Sequence, residues 1–146
     1  IVTPGSDSGL LFAMMPFLEA GDEVLVPDPS YPSNYLNCKL LGAKAVHVPT
    51  WYDDNYRIHI EELEKRVTPH TKMVLLTHPN NPTTVVYRKD NLEELARFIV
   101  RMIWFWFVIR RLRTISLMES SLCPPALFLA CGNARLRFVR CLRATV

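Results

Sequence analysis

The chain has 146 residues, 49% of them hydrophobic, and a formal net charge of +3. That length carries one ordinary domain with a real core, and that hydrophobic share excludes a disordered chain. The charge is unevenly divided: residues 1–100 hold nine Lys and Arg against thirteen Asp and Glu, a net of −4, whereas residues 101–146 hold eight Arg, no Lys and one Glu, a net of +7. Cys38, Cys123, Cys131 and Cys141 show no Cys-x-x-Cys spacing, and His47, His59, His70 and His78 are scattered. No metal site is therefore expected. The chain starts at Ile1 in mid-pattern, which reads as an N-terminal truncation, and no signal peptide is seen, so a reduced cytoplasmic setting is expected.

In chain order, Ile1 to Thr3 reads as the end of a strand, and Pro4 to Ser8 as a turn feeding a helix capped by Ser6 or Ser8. The helix is expected to run to about Ala20 and, being apolar on nearly every side, to be well buried. Gly5 and a hydroxyl at its start suit either a plain cap or an anion site, because free N–H groups and the positive dipole end meet there. Gly21-Asp22 stops it. Glu23 to Val26 is a strand, Pro27 to Pro32 a loop, Pro32 to Leu41 a helix ended by Gly42, and Lys44 to Val48 a strand. Pro49 to Tyr56 is a polar, aromatic connection, and Ile58 to Val67 a short helix whose Glu61, Glu62 and Glu64 form a solvated face.

Met73 to Thr77 is a continuous apolar run, as in a strand buried on both faces of a parallel sheet. Pro79, Asn80, Asn81 and Pro82 then force a rigid loop. Asp90 with Glu93 resembles a capping box, and Leu92, Leu95, Ala96 and Ile99 follow at i, i+3, i+4 and i+7, an amphipathic helix. Strands alternating with helices imply a three-layer α/β/α architecture with a mostly parallel sheet and right-handed crossovers.

Three stretches in residues 1–100 together resemble the class I and II aminotransferases, the fold-type I enzymes that use pyridoxal 5′-phosphate. They are Thr3-Pro-Gly-Ser-Asp-Ser-Gly-Leu10, Gly21-Asp-Glu-Val-Leu-Val-Pro-Asp-Pro-Ser-Tyr-Pro32 and His78-Pro-Asn-Asn-Pro-Thr83. The resemblance implies a partial large domain over residues 1–100 and transfer of an amino group between an α-amino acid and a 2-oxo acid. It implies that Gly5 and Ser6 hold the cofactor phosphate, with Asp7 lending its amide alone and turning its carboxylate away from the dianion. Tyr31 would stack on the pyridine ring. Asn81, before a cis proline, would bond the ring's 3′-oxygen. Thr84 stands where the family has glycine, a poor choice if that position needs φ > 0. A homodimer is expected of the full-length family, with neither nucleic acid nor membrane as partner. A C–S lyase, decarboxylase or synthase on the same fold stays open.

No catalytic residue is assigned. No lysine follows Lys89, and the family's cofactor-bearing lysine, ring-nitrogen aspartate and carboxylate-binding arginine have no counterpart, so the chain is expected to be inactive. Residues 101–146 read as foreign to the rest. Ile103 to Ile109 is an aromatic run followed by Arg110, Arg111 and Arg113. It is too short to span a membrane, and as an interfacial anchor it is the non-enzymatic alternative. Its arginines are too dispersed among apolar residues for a nucleic-acid face. The genetic code is sharper. Taking the last base of each codon with the first two of the next, Met102 to Phe107 must give Asp, then Leu or Met, then Val, Leu and Val. Val108 and Ile109 permit aspartate, and Val139 to Ala144 permit Ser-Leu-Ser-Lys-Gly, the family's lysine motif. The tail is thus read as out of frame and is not expected to continue the sheet.

Overall fold

The computed structural model describes residues 2–102, 105–110 and 127–130, the last two stretches by their backbone. The elements are α1 (Ser6–Met14), β1 (Glu23–Asp28), α2 (Pro32–Leu40), β2 (Lys44–Pro49), α3 (Ile60–Glu64), β3 (Thr71–His78), α4 (Lys89–Met102), β4 (Phe105–Arg110) and β5 (Leu127–Ala130). The strands form one sheet in the order β2-β1-β3-β4-β5, and every pairing is parallel.

Three layers follow from the alternation of side chains along the strands. Leu25, Val74 and Leu76 join a core with Leu63, Leu95, Phe98 and Ile99 of α3 and α4. Their neighbours Val24, Val26, Met73 and Leu75 join a second core with Leu10, Ala13, Met14 and Cys38 of α1 and α2. β1 and β3 therefore have no solvent face, which is why their sequences are continuous apolar runs. Each fully buried aliphatic side chain contributes about 1.5–3 kcal/mol.

Several expectations need correction. The first helix ends at Met14 and gives way to a 3₁₀ turn at Met15–Phe17, well short of Ala20. Pro16 is the cause: it lacks an N–H and its ring clashes with the carbonyl one turn back. Burial of that helix is one-sided, with Leu10, Ala13 and Met14 inside while Phe12 and Met15 are about half exposed. Neither Ser6 nor Ser8 caps it; the cap is Gly5, without a side-chain bond. The short helix spans Ile60–Glu64, inside the expected 58–67. Asp90 faces across to the Arg57 guanidinium, 2.9 Å away.

The tail also departs from expectation. β4 pairs with β3 from Met73↔Phe105 to His78↔Arg110, so residues 105–110 do add a strand to the sheet. Trp, Phe, Val and Ile are strong strand formers, and the open edge of β3 offers unpaired N–H and C=O groups.

The strand order positions the site. From β1 the chain steps outward to β2, then returns to place β3 on the other side of β1. The reversal leaves a crevice outside the carboxyl ends of β1 and β3, the place where open α/β sheets bind ligands.

Candidate functional site

Three segments meet at that crevice: the start of α1, the loop leaving β1, and the loop leaving β3. At the start of α1, Gly5 has φ 97° and ψ 176°. A Cβ there would meet nothing within 4 Å, so the positive φ alone calls for glycine. The Gly5 amide donates to the Thr3 carbonyl (2.8 Å), and the Thr3 hydroxyl donates to the Gly5 carbonyl (2.8 Å). Gly5 thus shapes the turn. The first-turn amides of Ser6 and Asp7 are the ones a helix leaves open to an anion.

Asp7 is turned toward α2. Its Oδ2 accepts from the Ser33 hydroxyl (2.9 Å) and, at the limit of hydrogen bonding, from the Tyr31 hydroxyl (3.4 Å). The Asn37 amide donates to the Asp7 carbonyl (3.3 Å). These contacts lock α1 to the start of α2, where Tyr31 is the N-cap residue and Pro32 opens the helix. Gly5, Ser6, Asp7 and Tyr31 are thereby brought together.

The β3 loop carries Asn81. The peptides His78–Pro79 and Asn81–Pro82 are cis, as is Asp28–Pro29 in the facing loop. The loop closes on itself, with the Asn80 amide donating to the Val85 carbonyl (2.9 Å) and the Thr84 amide to the Asn80 carbonyl (3.0 Å). Thr84 does sit at φ 61°, the left-handed region that a β-branched residue tolerates poorly. The Asn80 side-chain amide donates to the Pro29 carbonyl (3.0 Å) and to Thr83 Oγ1 (2.8 Å). The loop of Asn81 is therefore tied to the loop of Tyr31.

Beneath both loops, the buried Asn34 amide donates to Ser30 Oγ (2.7 Å) and Thr77 Oγ1 (3.0 Å). Sequence reasoning missed Ser33, Asn34 and Asn80. For Asn80 the signal was adjacency to Asn81 in a loop already singled out. Asn34 left no local signal, since a polar residue in a first helical turn is ordinary.

Three groups near the site, Tyr35, Cys38 and Tyr87, are held protonated. Tyr35 donates to Asp28 Oδ1 (2.6 Å) at the end of β1 and stacks on His47 at 4.5 Å. Burial, then that bond to Asp28, pushes its phenol above the ordinary value, so it stays a donor. Burial pushes the Cys38 thiol up to about 12, which leaves it without thiolate character. Burial likewise raises Tyr87, which stacks on His78 at 5.8 Å.

Four of the five lysines lie away from this edge. Lys44 and Lys72 open strands, while Lys39 and Lys65 lie where helices end, all at the opposite edge of the sheet. Lys89 opens α4 and pairs with Glu93 (3.7 Å). A phosphorylated aromatic ligand is one that a helix N-terminus, a phenol ring and a carboxamide at this edge could hold. They offer it no amine.

The model of the family described as aminotransferase class I and II matches residues 1–108. The chain is 40% identical over 100 residues to aromatic-amino-acid aminotransferase 2 of Thermococcus litoralis, covering 68% of this chain and 26% of that protein. It is 39% identical over 100 residues to the aspartate aminotransferase of Pyrococcus abyssi, with the same coverage, 68% and 26%. Among solved structures, aspartate aminotransferase from Thermus thermophilus with maleate superposes with a TM-score of 0.71 at 33% identity, over 75% of this chain and 29% of that one. The aromatic aminotransferase of Pyrococcus horikoshii gives 0.70 at 36% identity, over 73% and 28%. The chain spans about a quarter of the length of the curated relatives it matches.

Proposed function

The chain belongs to the class I and II aminotransferase family, and from that premise we propose that it is the cofactor-cradling part of a pyridoxal 5′-phosphate-dependent aminotransferase. The substrates are an α-amino acid and a 2-oxo acid. The observation that carries this reading is the tying together of the α1 start, the Tyr31 loop and the Asn81 loop at one sheet edge. When bound, the cofactor supplies an electron sink for amino-group transfer. The chain's residues do the holding. The amides of Ser6 and Asp7, on the turn shaped by Gly5, bind the phosphate with the dipole of α1. Tyr31 covers one ring face, and Asn81 bonds the 3′-oxygen.

Turnover is not expected of the chain as translated. No lysine follows Lys89, and Val108 and Ile109 stand in β4 where the family pattern calls for a carboxylate. We read residues 101–146 as an out-of-frame continuation, on the strength of the charge reversal and the forced codons. The full-length protein is proposed to be a cytoplasmic homodimer, on the family resemblance.

The test is borohydride reduction of the full chain with pyridoxal 5′-phosphate, followed by peptide mass mapping. The chain should bind the cofactor saturably, be displaced by inorganic phosphate, and yield no stoichiometric adduct at one lysine. The alternate frame from residue 101 should yield one, at the lysine spanning positions 142 and 143. A stoichiometric single-lysine adduct on the chain as translated, or no cofactor binding at all, overturns the reading.

A further inference from the structure

The Tyr31 and Asn81 loops leave different strands, yet a flat ligand between them needs their spacing fixed to a fraction of an ångström. Neither loop can fix that distance through its own backbone. Two buried amides span the gap. Asn80, 5% exposed, reaches from the Asn81 loop to the Pro29 carbonyl and back to Thr83 Oγ1. Asn34, 0% exposed, reaches from α2 to Ser30 Oγ on one side and Thr77 Oγ1 on the other. Pro29 and Ser30 immediately precede Tyr31, while Thr77 and Thr83 bracket the loop that holds Asn81. Asn80 ties loop to loop, and Asn34 ties the Tyr31 loop to the end of β3, from which the Asn81 loop leaves.

Asn34 pays for its place. Its Oδ1 is buried without a hydrogen-bond partner among the described residues, and burying an unpaired carbonyl costs stability. An apolar side chain of similar size would avoid that cost, so the two donations are what the site gains from asparagine.

We infer that Asn34 and Asn80 are positioning residues, which set the Tyr31 ring and the Asn81 carboxamide at the spacing a flat phosphorylated aromatic ligand requires. The inference rests on the cofactor reading above. It also makes a distinction within it: the clasp acts on the ring end of the ligand and leaves the phosphate end, at α1, alone.

The experiment uses the full chain and the variants Asn34→Leu, Asn80→Leu and Ser30→Ala, with pyridoxal 5′-phosphate and inorganic phosphate as separate ligands in titration calorimetry. Induced circular dichroism of the bound ring is read alongside. Asn34→Leu and Asn80→Leu should each weaken pyridoxal 5′-phosphate about tenfold, the equivalent of one charge-free clasp, and shrink the induced dichroism. Inorganic phosphate should bind within about twofold of the unaltered chain. Ser30→Ala, which removes one acceptor and leaves the core filled, should show a smaller loss of the same kind, about threefold; it decides the matter if a leucine variant fails to fold. Equal losses for both ligands would make the amides mere supports of the fold and overturn the inference. Unchanged affinity in all variants would overturn it too, with the cofactor reading intact. Absence of cofactor binding by the unaltered chain overturns both.

Discussion

The edge between β1 and β3 and the added strands β4 and β5 were built under different demands. At the first, the contacts depend on particular residues: glycine at φ 97° and amides that each find two acceptors. At the second, a run of aromatic and β-branched residues pairs in register with β3 while its carboxyl end, at the level of His78, is Arg110. Backbone pairing asks for β-prone apolar residues and little else. Catalysis asks for one group at one place. A strand can therefore complete a sheet while bringing no chemistry to it.

The comparison can be broken at its core. Leu75→Ala should cost about 2–5 kcal/mol, the transfer loss plus a cavity between sheet and α1, read as a lowered denaturation midpoint. A loss under about 1 kcal/mol would mean that the central strands are no better packed than an edge.

Val108→Pro tests the other side. Val108 is the register partner of Leu76, and a proline in mid-sheet removes a ladder donor and leaves its acceptor unpaired, at a cost of about 1–3 kcal/mol. Hydrogen exchange should accelerate in β4 and in the β3 amides facing it, while β1 and β2 keep their protection. Uniform loss of protection would show β4 to be as integral as β3.

Asn91→Leu sharpens the contrast between specific and generic contacts. The buried Asn91 amide accepts from the Ile58 N–H (3.1 Å) and donates to the Ile58 carbonyl (2.7 Å). Losing both should cost about 2 kcal/mol and raise protease cleavage within 51–58. An unchanged cleavage pattern would show that the Arg57 fork to Asp90 and Glu94 holds that connection alone.

The smallest effect is a pH dependence. The Glu23 carboxyl is held below its ordinary value of 4.5, first by the Thr68 hydroxyl (2.6 Å) and then by Lys44 (3.0 Å). A depressed carboxyl contributes stability above its unfolded value and loses it as pH falls through the folded one. Glu23→Gln should therefore destabilise by about 1 kcal/mol at neutral pH and flatten the stability loss below pH 4.5. Parallel acid titrations of the two proteins would refute this.

Much of the fold could be read from local pattern. The apolar runs at 23–26 and 73–77 marked strands buried on both faces. Gly42 ended a helix, and Leu92, Leu95, Ala96 and Ile99 gave the inner face of α4, to which the structure adds Phe98. The early end of α1 was legible too, in Pro16. The loop at 78–84 stood out because two prolines cannot continue a strand.

Within residues 1–100 the sequence by itself determined which segments are central strands, which are helices, and where the rigid loops lie, because propensity, periodicity and proline geometry act within a few residues. Tertiary structure decided which of those loops face each other. Placing β3 beside β1, opposite β2, brings Asn34 to Thr77 across 43 residues and Asn80 to Pro29 across 51. No local preference encodes such pairings. They arise when burial strips water from an amide and leaves it the acceptors that strand order has put within reach.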